Sequence, residues 1–181
     1  MTSNYSETES ILIHFCWSTY KRQQSHGLLS GITNSSQSEC EFEVSTRLLT
    51  ENFDYLSDCM DDYMSISNDD SNAITCKMTL NRIPIKASYV LLFLRLSADG
   101  KVHPKDVQHI SIDCISQKDN SEIFTQNIVQ TGKWIQVIVP FLAHRINQKQ
   151  WDFEKIEISG DKTTTDEILI TRIKQMRKNK G

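Results

Sequence analysis

The sequence predicts a mainly β protein: an antiparallel β-sandwich or jelly roll with one short helix, preceded by an amphipathic helix and a polar N-terminal segment. Three observations lead there. From Ile74 onward, runs of strand length follow one another, and most alternate apolar with polar residues. Turn-forming clusters separate them: "SADGK", "QKDNS", "QTGK" and "SGDKTT". One run, "YVLLFL" (Tyr89 to Leu94), is apolar throughout, as expected of a strand covered on both faces. Short strands joined by such turns suit a sandwich better than a parallel α/β sheet.

The elements follow in order. Residues 1–45 are rich in Ser, Thr, Asn, Gln and acids, and "GITNSSQSE" (Gly31 to Glu39) reads as loop, so this segment is expected to be poorly ordered. An amphipathic helix is expected over residues 46–66, where Leu48, Leu49, Phe53, Leu56, Met60, Tyr63 and Met64 recur at three-to-four spacing. Ser45 or Thr46 is placed to cap it. The sandwich is expected over residues 74–175, with strands in "ITCKMTL", "ASYVLLFLRL", "VQHISIDCIS", "EIFTQNIV", "KWIQVIV", "FEKIEIS" and "DEILITRI". A short helix is expected from Pro140 to Gln148, with proline in its first turn, where the missing N–H does no harm. Residues 176–181 form a basic tail.

The chain has 181 residues, enough for one domain and a tail, and a net charge of −3. That balance gives no basic field, so no nucleic-acid partner is expected. No apolar run approaches the roughly 20 residues that span a bilayer, so no membrane insertion is expected either. "ILIHFCW" (Ile11 to Trp17) is too short for a good signal peptide and follows Glu7 and Glu9 rather than basic residues. Cys16, Cys40, Cys59, Cys76 and Cys114 are odd in number and contain no CxxC pair, which favours free thiols over a disulfide framework.

Motifs that carry chemistry are missing. Neither a phosphate-binding glycine loop nor GxSxG occurs. No catalytic residue, no cofactor and no metal is expected. His14 and Cys16 form an incidental pair, and His103 and His109 read as surface or half-buried side chains. Asp58, Asp61 and Asp62 read as a solvated acidic face, without the alternating ligands and glycine of a calcium loop. At period two, Glu154 and Glu157 fall on opposite faces, which suits no acid–base pair. Trp134 and Trp151 are expected in the core rather than on a sugar-stacking surface.

Two phrases carry a resemblance. "KASYVLLFLRL" (Lys86 to Leu96) and "TGKWIQVIVPFLAHRI" (Thr131 to Ile146) are similar to the arm-domain strands of propeptides of transforming growth factor β family precursors, in the activin and myostatin branches. "FEKIEIS" stands where a further strand of that family lies, so the resemblance covers residues 74–160. It implies a secreted, non-enzymatic propeptide-like domain that binds or chaperones a growth factor dimer in signalling. Gly132 and Trp134 would then be structural, and Leu49, Phe53, Leu56, Met60 and Tyr63 would bind the partner. A homodimer is compatible with it. Two alternatives stand beside it: a carbohydrate-binding, galactose-binding-like jelly roll, and an intracellular β-sandwich interaction protein with a cytoplasmic location.

Overall fold

The structure is a computed structural model that describes residues 5–6, 9–19, 42–57, 60–70, 72–97, 107–129 and 135–179. Its elements in chain order are β1 (Tyr5–Ser6), β2 (Ser10–Thr19), β3 (Phe42–Leu49), β4 (Tyr55–Ser57), β5 (Met64–Asp70), β6 (Ala73–Thr79), β7 (Tyr89–Leu96), β8 (Val107–Ser116), β9 (Glu122–Val129), β10 (Val137–Asn147), β11 (Gln150–Gly160) and α1 (Asp166–Lys178). The fold is mainly β, with two antiparallel sheets. One has six strands in the order β1-β11-β10-β7-β3-β4, and the other has five in the order β5-β6-β2-β8-β9. Their inner faces meet over one core, in which Ile13, Phe15, Cys76, Met78, Leu92, Leu94, Ile112 and Phe141 are fully buried.

A second, smaller core lies on the far side of the six-stranded sheet. There α1 lays Leu169 and Ile173 on Leu91, Phe93, Val137, Val139 and Leu142. The apolar run of β7 is thus explained residue by residue. Val90, Leu92, Leu94 and Leu96 face the inner core, and Tyr89, Leu91 and Phe93 face the helix. The five-stranded sheet has no helix on its outer face among the described residues.

Three expected elements differ, each for a physical reason. The helix expected over 46–66 is instead the end of β3, a turn, β4, a 3₁₀ turn at Met60–Asp62 and the start of β5. In β3 the side chains alternate: Val44, Thr46 and Leu48 point inward, and Arg47 and Leu49 point to the helix side. The Thr50 hydroxyl accepts the Asn52 and Asp54 amides at 3.2 and 3.1 Å and tightens the chain into a hairpin. Phe53 takes a left-handed conformation there, at φ 67°. The helical spacing of the apolar residues arises because each turn resets the phase of the next strand.

The helix expected at Pro140 is the middle of β10. The pairing of β10 with β11 shifts register between Val139 and Phe141. Ile138, Phe141 and Ala143 face the inner core, and Val137, Val139 and Leu142 face the helix. A bulge at Pro140, which has no N–H for the ladder, turns a spacing of two into three and mimics a helix.

The strand expected in "DEILITRI" is α1. The Thr165 side chain accepts the Ile168 amide as its N-cap, acids fill the first turn, and Arg177 and Lys178 fill the last. The "poorly ordered" segment 1–45 also needs correction. Its Ile11–Trp17 run lies within β2, the middle strand of the five-stranded sheet, and β3 begins at Phe42.

Candidate functional site

The outer face of the five-stranded sheet, which no described element covers, is assembled by register. His14 on β2 pairs with Thr75 on β6 and with Asp113 on β8. Thr75 pairs in turn with Ser67 on β5, and Asp113 with Thr125 on β9. One row, Ser67–Thr75–His14–Asp113–Thr125, therefore crosses all five strands. His14 Nδ1 hydrogen-bonds Thr75 Oγ1 at 2.8 Å, and Thr125 donates to Asp113 at 2.8 Å. Cys16, Ser111 and Asn127 lie in the next row on one side, and Lys77, Leu12 and Ile115 on the other.

Thr75, His14 and Asp113 have the residue types of a hydrolase triad. Their geometry is different. The Asp113 carboxylate is engaged by Thr125, and Nδ1, the nitrogen that a triad carboxylate would orient, is bound to the threonine. What the face offers is a flat array of donors and acceptors with little net charge.

The helix-covered face is closed by ion pairs and rings. Asp166, at the start of α1, is bridged by Arg47 of β3 at 2.6 Å and Arg95 of β7 at 2.8 Å. Tyr89 is stacked between Phe53 and His144, with ring centroids at 4.4 and 5.0 Å. The Arg177 guanidinium lies 5.6 Å from the Tyr89 ring and pairs with Glu154. Burial and then the Arg177 charge lower the His144 pKa, against the opposing pull of Asp152, Glu154 and Glu51.

The expected partner-binding stripe is divided between the two cores. Leu49 is fully buried under α1, and Phe53 packs beside it. Leu56 and Met60 pack on the inner core instead, where Tyr63 is 1% exposed and hydrogen-bonds Thr46. The five residues share no surface and cannot form one docking stripe. Gly132 and Trp134 lie outside the described residues. Trp151 is fully buried, with the Arg145 guanidinium 4.3 Å above its ring, so it offers no platform for a sugar. Cys16 is exposed and Cys76 and Cys114 are buried, and burial pushes the Cys114 thiol far up. His103, Cys40 and Cys59 lie outside the described residues, and His109 is exposed. Among the described residues no group of three or more His, Cys, Asp or Glu is placed to hold a metal ion, and no helix is long and apolar enough to cross a membrane.

A third feature was not anticipated from sequence. It lies between β9 and the ends of β10 and β11. A hollow of ≈ 220 Å³ is lined there by Gln126, Ile128, Ile135, Ile138 and Ile158, with Asn127, Val129 and Ser159 also on its wall. Gln126 is 2% exposed, and its Oε1 has no hydrogen-bond partner. The signal was present in "EIFTQNIV": period two places Gln126 in the inward phase between Phe124 and Ile128.

No protein-family model matches the chain, and no curated protein sequence does. Several solved structures share its architecture, among them these two. A protein of unknown function, SAV2460, superposes with TM-score 0.60 at 9% identity, over 91% of this chain and 97% of its own. A homologue of the telluride resistance protein TerD from Streptomyces coelicolor A3(2) superposes with TM-score 0.58 at 10% identity, over 92% of this chain and 98% of its own. At such identity the likeness shows the fold alone. It overturns the propeptide resemblance: over 91–92% of its length the chain matches an architecture found in proteins of a different kind. The growth factor partner and the secreted setting rested on that resemblance and fall with it.

Proposed function

We propose that the chain is a non-enzymatic β-sandwich interaction module, acting in the cytoplasm, that docks another folded protein on the outer face of its five-stranded sheet. The observation that carries this reading is the row Ser67–Thr75–His14–Asp113–Thr125, which crosses every strand on a face that no described element covers. Five strands at the usual spacing, over the seven or eight residues they share, give a patch of roughly 500 Å². That is below the roughly 800 Å² per partner of a standard stable interface, so the contact is transient. The near balance of Lys77 against Asp113 favours a flat, weakly charged partner surface over a polyanion.

The test is affinity capture from the source cells with the wild type, with Ser111→Arg and Thr125→Arg on the face, and with Lys162→Glu in the loop before α1. Partners lost with both face variants and retained with the loop variant support the reading. An unchanged set of partners across all four baits refutes it. Sedimentation of the same proteins reports whether the partner is a second copy.

A further inference from the structure

On the helix side of the six-stranded sheet, one turn of the backbone is held under strain. Phe53, in the turn between β3 and β4, sits at φ 67°, a left-handed conformation that a bulky side chain rarely adopts. Such a residue persists only where its surroundings hold it. Here its ring is stacked on Tyr89, with centroids 4.4 Å apart, and Lys174 of α1 donates to the neighbouring Asn52 carbonyl at 2.6 Å. The last turn of α1 grips the same place: the Arg177 guanidinium lies 5.6 Å from the Tyr89 centroid and pairs with Glu154. His144 of β10 is stacked on Tyr89 as well, at 5.0 Å. Turn, helix end and sheet are thus clasped around one tyrosine ring, with a titratable imidazole against it.

Charged groups act on His144 from three elements: Arg177 from α1, Asp152 and Glu154 from β11, and Glu51 from the β3–β4 turn. Tyr89 adds its ring from β7. Burial first and Arg177 second disfavour the protonated imidazole, against the pull of the three acids. A closed state that resists the proton is, by reciprocity, weakened by it. We propose that protonation of His144 opens this clasp, so that the turn at 50–54 comes away and the last turn of α1 lifts off Tyr89 with it. Two cations would otherwise share one ring. The first turn of α1 stays bound at the other end of the helix, where Asp166 bridges Arg47 and Arg95. Opening relieves Phe53 and bares Tyr89. The clasp lies on the opposite sheet from the proposed docking face, and neither reading depends on the other.

Hydrogen exchange of the full chain tests it, compared as protection factors at about pH 7.5 and about pH 5, on either side of the ordinary histidine pKa. Protection in 51–55 and 175–178 is expected to fall about tenfold at the lower pH. It should be insensitive to low urea there, which marks a local opening rather than global unfolding. His144→Phe keeps a ring on Tyr89 and cannot titrate, so the fall should vanish in it. No fall between the two pH values overturns the proposal. So does a fall that survives His144→Phe, or one whose urea dependence equals that of β2, β6 and β8, since the chain then opens as a whole. Should His144→Phe fail to fold, the reciprocal measurement decides. The double variant Phe53→Gly, Lys174→Ala removes two grips of the clasp and leaves Arg177 and the acids in place. In it the His144 ring, followed by NMR, should titrate higher than in the wild type by about half a pH unit or more. An unchanged titration would show that ring and clasp are uncoupled, which is equally fatal.

Discussion

The outer face of the six-stranded sheet and that of the five-stranded sheet back onto the same core, yet one is dry and the other is wet. On β7 the outward phase is Tyr89, Leu91 and Phe93, covered by α1 and locked at its start by the Arg47–Asp166–Arg95 bridge. On β8 the outward phase is His109, Ser111, Asp113 and Ile115, with no helix above it among the described residues. The inward phases of the two strands are alike. The comparison teaches that the residues which fill the core say little about use. The residues of the opposite phase decide whether a face is structural or available.

Phe93→Ala should break the dry face hardest. The ring is fully buried between β7 and α1, with the Arg47 guanidinium 5.8 Å from its centroid. Removing it costs about 3–5 kcal/mol of stability, read as a lower urea midpoint at unchanged slope. A midpoint shift no larger than that of a wet-face substitution would mean that α1 does not seal this sheet.

Asp166→Ala comes next. The carboxylate joins two strands to the first turn of α1, where the helix dipole also favours a negative charge. Its loss leaves two arginines facing each other, and about 2 kcal/mol is expected to go. Amide exchange should speed up in α1 and stay unchanged in β2, β6 and β8. Uniform acceleration would show instead that the helix and both sheets open as a single unit.

The contrast also explains what sequence could and could not tell. β7, β8 and β9 were legible because a continuous or alternating run needs only local periodicity. β10 was not, because one bulge at Pro140 shifted the phase, and periodicity alone cannot tell a bulged strand from a helix. α1 was missed because Ile168 and Ile170 alternate like a strand, although Thr165, the acids after it and Arg177 and Lys178 announced a helix. The 46–66 segment misled for the opposite reason, since three short elements in succession gave apolar spacings of three and four. The docking row was illegible in principle. Ser67, Thr75, His14, Asp113 and Thr125 are scattered along the chain, and only register brings them into line. Gln126 was legible, as the polar residue in an apolar phase.

A smaller effect is expected from pH. The folded state holds His144 below its ordinary pKa, first by burial and then by Arg177, so folding favours the neutral ring. Above the unfolded value of about 6.5 the residue adds no pH dependence. As pH falls below that value, the unfolded chain takes up the proton more readily, and stability declines until the folded pKa is passed. His144→Phe keeps a ring against Tyr89 and should flatten the stability profile between about pH 7 and pH 5. An unchanged slope would place the acid sensitivity of the fold elsewhere.

The smallest effect belongs to the wet face. Thr125 is exposed, and its hydroxyl donates to Asp113 at 2.8 Å on the open surface of β9. Water replaces that bond when the hydroxyl is removed, so Thr125→Ala should move stability by no more than about 0.5 kcal/mol. The asymmetry with Phe93 is the sharpest form of the comparison, because both residues sit in the outward phase of a strand in one small domain. If Thr125→Ala destabilises the isolated chain by 2 kcal/mol or more, the row Ser67–Thr75–His14–Asp113–Thr125 is a structural ladder rather than a surface held ready. The docking reading would then lose its basis. A stability-neutral Thr125→Ala that also weakens partner capture would separate the two roles: the dry face holds the fold, and the wet face is free to bind.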